Sequence, residues 1–89
     1  MKIINKSIEM IAQTSTNGTI EPLRFRITEN EALQVVFIKR VVIAENIRVG
    51  NSVARRYLCD IDVNGMMRKC EIVYVLDQMI WYLYKMWGG

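Results

Sequence analysis

The stretch DVNGMM, residues Asp62 to Met67, sets an Asn-Gly pair inside an otherwise apolar region, where it marks the hinge of a hairpin. A two-residue type I′ turn needs positive φ at both central positions, which Asn and Gly tolerate best. With such a turn at Asn64-Gly65, facing residues carry numbers that sum to 129. Val63 then faces Met66, Ile61 faces Arg68, Cys59 faces Cys70 and Tyr57 faces Ile72, all on one side of the hairpin. Asp60 opposite Lys69 and Asp62 opposite Met67 fall on the other side. A mostly apolar face backed by an opposite-charge pair is what a half-buried hairpin requires.

The same test on Asn17-Gly18 gives facing numbers that sum to 35. Ile8 meets Ile27, Met10 meets Phe25 and Ala12 meets Leu23 on one face, while Glu9 meets Arg26 on the other. Pro22 falls near the start of its strand, where a missing N–H is tolerated best. A third hairpin turns at Asp77-Gln78 with facing sums of 155, through a two-residue turn or a four-residue loop. It sets Tyr74 against Trp81 and Ile72 against Leu83. Its opposite face carries Val73, Val75, Ile80 and Tyr82, so both faces are apolar and both call for cover.

Between these hairpins, TENEALQVVFIKRVVIAEN (Thr28 to Asn46) is ambiguous. Thr28 and Glu31 have the form of a helix capping box. The density of β-branched residues at Val35, Val36, Ile38, Val41, Val42 and Ile43 favours a strand instead. The reading adopted is a turn at 28–32, a long bulged strand over 34–44, and a loop through NIRVGNS into a strand near Val53. The whole is an all-β domain spanning 1–89, an antiparallel six-stranded meander that curls into a small barrel or roll to remove its edges.

Composition bounds the chemistry. Apolar residues make up 52% of the 89, which is ample for a core, and the net charge of +3 is mild. No apolar run approaches the roughly 18 residues of a membrane span, and the N-terminus does not read as a secretory signal, so a cytoplasmic protein is expected. Histidine is absent, which removes Ser-His-Asp and Cys-His catalysis and His-containing zinc sites. No Gly-rich phosphate loop or nucleophile elbow occurs, so no catalytic residue, metal or cofactor is expected.

EPLRFRI with PLRFR at Pro22 to Arg26, the two Asn-Gly turns, and VLD with Trp81 beyond it resemble a group of short uncharacterised bacterial proteins, chiefly clostridial. The resemblance implies a small SH3-like or related β-barrel and carries no assigned activity.

Two functional readings follow. The first is an interaction or accessory module without catalysis, as a homodimer or with a protein partner. Its interface is Val73, Val75, Ile80, Tyr82 and Tyr84, an outer face richer in apolar side chains than one small barrel needs. The alternative is a nucleic-acid-binding barrel that uses Arg24, Arg26, Lys39, Arg40, Arg55 and Arg56 beside C-terminal aromatics. Asp60 and Asp62 read as a salt-bridged polar face, and Cys59 and Cys70 as buried free thiols.

Overall fold

Six strands follow one another in chain order: β1 (Lys2–Thr14), β2 (Ile20–Glu29), β3 (Ala32–Val49), β4 (Ser52–Val63), β5 (Met66–Val75) and β6 (Ile80–Trp87). Each is antiparallel to the next, and β6 pairs with β1 to close a barrel. The computed structural model describes residues 1–29 and 31–88, with Glu29 described by its backbone alone. Among the described residues there is no helix, so the β-branched run, and not the capping-box pattern, decides the ambiguous segment.

The β4–β5 hairpin has the expected register throughout, from Val63 opposite Met66 to Ala54 opposite Val75. Asn64 and Gly65 have φ of 52° and 82°, the pair of left-handed residues that a type I′ turn demands. The β5–β6 hairpin also keeps its register from Val75 opposite Ile80 to Ile72 opposite Leu83, closed by a four-residue loop in which the Met79 amide donates to Val75 O (2.9 Å).

The β1–β2 connection differs from expectation near its turn. Glu9 faces Arg26 and Met10 faces Phe25 as expected, but Ala12 faces Pro22, because Leu23 is bulged out of the ladder. The connection spans Ser15 to Thr19, with Gly18 N bonded to Ser15 O (3.0 Å) and Ser15 N to Thr19 O (2.9 Å). Side-chain bonding by Asn17 to its neighbours, including acceptance from the Thr19 amide at 3.1 Å, favours this wider loop over a two-residue turn.

The larger correction concerns NIRVGNS. It is not a loop: Asn46 to Val49 continue β3, and Gly50-Asn51 alone make the turn, with Val49 opposite Ser52. Gly50 has φ of 60°, which fits the first position of a type II′ turn. β3 therefore runs 18 residues, with register shifts that leave Lys39 and Val42 as extra residues. The turn expected at 28–32 includes Asn30, which lies outside the described residues. Beside it Glu29 faces Ala32, and Glu31 has φ of 63°.

The core is built from alternate residues of every strand. Phe25, Val36, Tyr57, Cys59, Ile61, Cys70, Ile72 and Leu83 are each no more than 2% exposed. Tyr57 and Tyr74 pack on Trp81 with ring centroids 5.5 and 4.7 Å away. The Tyr57 hydroxyl donates to Ile20 O (2.6 Å), which ties β4 to the start of β2.

Burial raises the Tyr57 pKa above its ordinary value. The stability that rests on its neutral hydroxyl is thus intact below about pH 10 and is lost as pH rises through the higher folded value. Tyr57→Phe should cost about 1 kcal/mol at neutral pH. It should also flatten the alkaline fall in stability, which urea unfolding at a series of pH values would measure. Equal alkaline slopes for the two proteins would show that the hydroxyl is not ionising inside the fold.

Candidate docking groove

The five residues of the candidate interface lie on β5 and β6, at positions that alternate with the core. Their surroundings are not those of a bare face. Val73 is 7% and Val75 2% exposed, so these two are covered within the chain and do not form an exposed interface as expected. They pack with fully buried Ala54 and with Ile47 and Tyr82 in a small cluster separate from the barrel core.

The cause is local. Ile47, Ala54, Val75 and Ile80 form one cross-strand row over β3, β4, β5 and β6. The small Ala54 side chain lets its larger neighbours close over it. Tyr82 is half-buried and donates to Gln78 Oε1 (3.0 Å), while Ile80 and Tyr84 remain 38% and 37% exposed.

The result is a groove of about 430 Å³ with Val73 and Val75 in its lining. Ile47, Arg48 and Val49 of β3 also line it, as do Tyr82 and Tyr84 of β6 and Asn5 of β1. Glu71 lines it as well. Its carboxylate is 8% exposed and lies 3.0 Å from Arg56 Nη2, while Arg56 Nη1 meets Glu45 at 2.9 Å. The hydrogen bond that Arg56 donates to Glu71 is the main reason the Arg56 pKa rises, with burial opposing it.

One wall of this groove has an unusual edge. β3 pairs with β2 only over Ala32 to Phe37, whereas its pairing with β4 runs from Val36 to Val49. Past Phe37, no described strand pairs with the second edge of β3. The bulges at Lys39 and Val42 interrupt the first part of that edge, a common guard against unwanted pairing. From Ile43 to Val49 the ladder is regular.

No protein-family model matches this chain, and no curated protein or solved structure matches it either. The reading of the site therefore rests on its geometry.

That geometry does not gather the six cations. Arg26 pairs with Glu9, Arg40 with Asp60 (3.1 Å), and Arg56 with Glu45 and Glu71. Arg55 and Arg56 are consecutive in a strand and so point to opposite faces. The Arg55 Nη1 donates to Asn46 Oδ1 (2.8 Å), and its guanidinium stands 5.9 Å from the centroid of the Tyr57 ring. Lys39 is one of the two bulged residues of β3, and Arg24 lies on β2 with no ion pair among the described residues.

The two carboxylates on β4 have separate partners. Asp60 meets Lys69 (3.0 Å) as well as Arg40, and the hydrogen bond from Lys69 chiefly lowers its pKa. Asp62 Oδ1 accepts from the Gly65 amide (2.7 Å) and braces the turn. Cys59 and Cys70 face each other as buried free thiols, and their mutual hydrogen bond, with burial, pushes the Cys70 pKa up. A raised thiol pKa means little thiolate and low reactivity.

Sequence reasoning found the β5–β6 half of the groove and missed the β3 half. Ile47, Arg48 and Val49 lay in the segment read as a loop, although the alternation of Ile47 and Val49 with polar residues was a strand signal.

Proposed function

We propose that this protein is a non-catalytic docking module that holds an extended segment of a protein partner along the free edge of β3. One observation carries the reading: among the described residues the strand edge from Ile43 to Val49 is regular and unpaired, and its last three residues, Ile47 to Val49, line an apolar groove. Strand addition supplies main-chain hydrogen bonds whatever the partner's sequence, and alternate side chains of the added strand give specificity. Those side chains would lie over the exposed parts of Tyr82 and Tyr84, with Ile80 at the margin and Val73 and Val75 already covered beneath. This keeps the β6 part of the candidate interface and adds its second wall.

The hairpin register says which amides are available. With a two-residue turn at Gly50-Asn51, Val49 and Ser52 form a hydrogen-bonded pair. Alternation then points the amides of Ala44, Asn46 and Arg48 away from β4, towards the free edge. The kinship with short bacterial SH3-like barrels suggested by PLRFR belongs to the same proposal, since aromatic-lined grooves on such barrels seat extended proline-rich peptides. Two buried free thiols suit a reducing compartment, and we place the module in the cytoplasm.

Selection from a displayed peptide library tests the reading. Binders should share an extended apolar core, and their binding should fall sharply on Ala44→Pro, which removes one edge amide and spares the β4 ladder. Arg24→Glu, on another face, should leave it unchanged. Failure to enrich any peptide, or binding indifferent to the proline in a protein of normal circular dichroism, would sink the proposal.

The nucleic-acid reading draws less support, because the cations lie on different faces and Arg26, Arg40 and Arg56 are held by carboxylates. Fluorescence anisotropy with single-stranded DNA and RNA at two salt concentrations should show no steeply salt-dependent binding. Such binding, reduced by Arg24→Ala with Arg26→Ala, would displace the docking reading.

A further inference from the structure

A different face of the barrel carries a second pattern. Arg24 of β2, Phe37 of β3 and Asp62 of β4 stand side by side in one cross-strand row. All three are on the outer face, since each alternates with a core residue: Phe25, Val36 and Ile61 or Val63. Phe37 is 46% exposed, and along β3 on the same face Val35 and Leu33 are 38% and 62% exposed. The row therefore reads cation, aromatic, carboxylate, beside an apolar stripe.

Neither charge has an ion-pair partner among the described residues. Arg24 has no ion pair among the described residues, and Asp62 accepts only a backbone amide. Adjacent strands are about 4.8 Å apart, so Arg24 and Asp62 are about 10 Å apart across the Phe37 strand. No ion pair forms between them across Phe37.

We infer that this face binds a second copy of the chain, with a two-fold axis running along β3 near Phe37. The argument is one of symmetry. Rotation about an axis parallel to the strands exchanges left and right but keeps each residue at its height. Phe37 of one copy then packs on Phe37 of the other. Arg24 of each copy comes over Asp62 of its partner, so both unpaired charges are matched twice. A two-fold axis perpendicular to the strands would instead set Arg24 over Arg24. An isologous contact of this kind is the commonest closed assembly.

Shape agrees with charge. An open depression lies between Leu33, Val35 and Phe37 on one side and Asp62, Asn64 and Gly65 on the other. That is where the partner's arginine enters. Contact is confined to β2, β3 and β4, because the curvature of a closed barrel carries β1 and β5 away from the partner.

This inference is independent of the strand-docking proposal, whose groove is on β5, β6 and the far end of β3. Sedimentation velocity over a range of protein concentrations tests it. The wild type should reach a dimer, and Arg24→Glu or Asp62→Lys alone should weaken association by about tenfold or more, because each sets like charges together twice. An equimolar mixture of the two variants should associate again, since a mixed dimer restores one opposite-charge pair of the wild-type kind and makes one of reversed polarity. Phe37→Ser should also give a monomer.

Because Asp62 braces a turn, thermal unfolding of each variant must first match that of a folded protein. Arg24→Glu and Phe37→Ser leave that brace in place and suffice if Asp62→Lys does not fold. A monomeric wild type, a dimer that these variants leave unchanged, or a mixture that stays monomeric would overturn the inference. A dimer broken by Tyr84→Glu but not by Arg24→Glu would also overturn it, and would place the second copy on the groove.

Discussion

Phe25→Ala should destabilise the barrel by about 3–5 kcal/mol, the cost of emptying a large aromatic site that neighbours cannot refill. Phe25 is 1% exposed and stands between Met10 of β1 and Val36 of β3, so its ring joins three strands at the point where the meander begins to close. Its strand neighbours Arg24 and Arg26 are exposed and contribute little by comparison. A domain of this length has a total stability on the order of 4–13 kcal/mol, so the variant should be partly or wholly unfolded at room temperature. Urea unfolding followed by tryptophan fluorescence measures it, with Leu33→Ala as the control, since Leu33 is 62% exposed. Equal midpoints for the two variants would refute the assignment of Phe25 to the core.

That prediction could almost be written from the letters alone, because alternation along PLRFRI places Phe25 on the apolar face. Most of the hairpin register is legible in the same way. Asn64-Gly65 names its turn type, and the alternation on both sides then fixes ten facing pairs without a slip. Asn17-Gly18 misleads in detail because Ser15 and Thr19 bond across a wider loop, and the bulge at Leu23 restores the register beyond it. A dipeptide reports the conformations it tolerates, not the number of residues its neighbours add.

The groove is harder to read. Its far wall depends on β3 continuing to Val49, and NIRVGNS resembles a loop because Asn, Gly and Ser cluster there. Whether a strand edge is free depends on how far the neighbouring strand extends, which is a property of the pairing pattern and not of any residue. The cover over Val73 and Val75 likewise comes in part from Ile47, two strands away. Arg55 and Arg56, in contrast, could have been separated from the start, since consecutive strand residues never share a face.

The second large effect belongs to the ion pair beside the groove. Arg56→Ala should cost about 2–3 kcal/mol, somewhat below the 3–5 kcal/mol typical of a fully buried pair, because the Arg56 side chain is still 25% exposed. The loss comes mainly from what is left behind. Glu71 is 8% exposed on the side chain and lines the groove with Val73 and Val75, 3.0 Å from the guanidinium that balances it. Removing Glu45 instead should be mild, since that carboxylate is 51% exposed and water replaces its partner readily. The pair as a whole need not be strongly stabilising, because desolvating two charges offsets most of their attraction. Arg56→Met combined with Glu71→Leu should therefore recover most of the loss, and denaturant unfolding of the single and double variants gives the coupling directly. If the double variant is as unstable as Arg56→Ala alone, the cost lies in lost packing by the arginine stem and not in a stranded carboxylate.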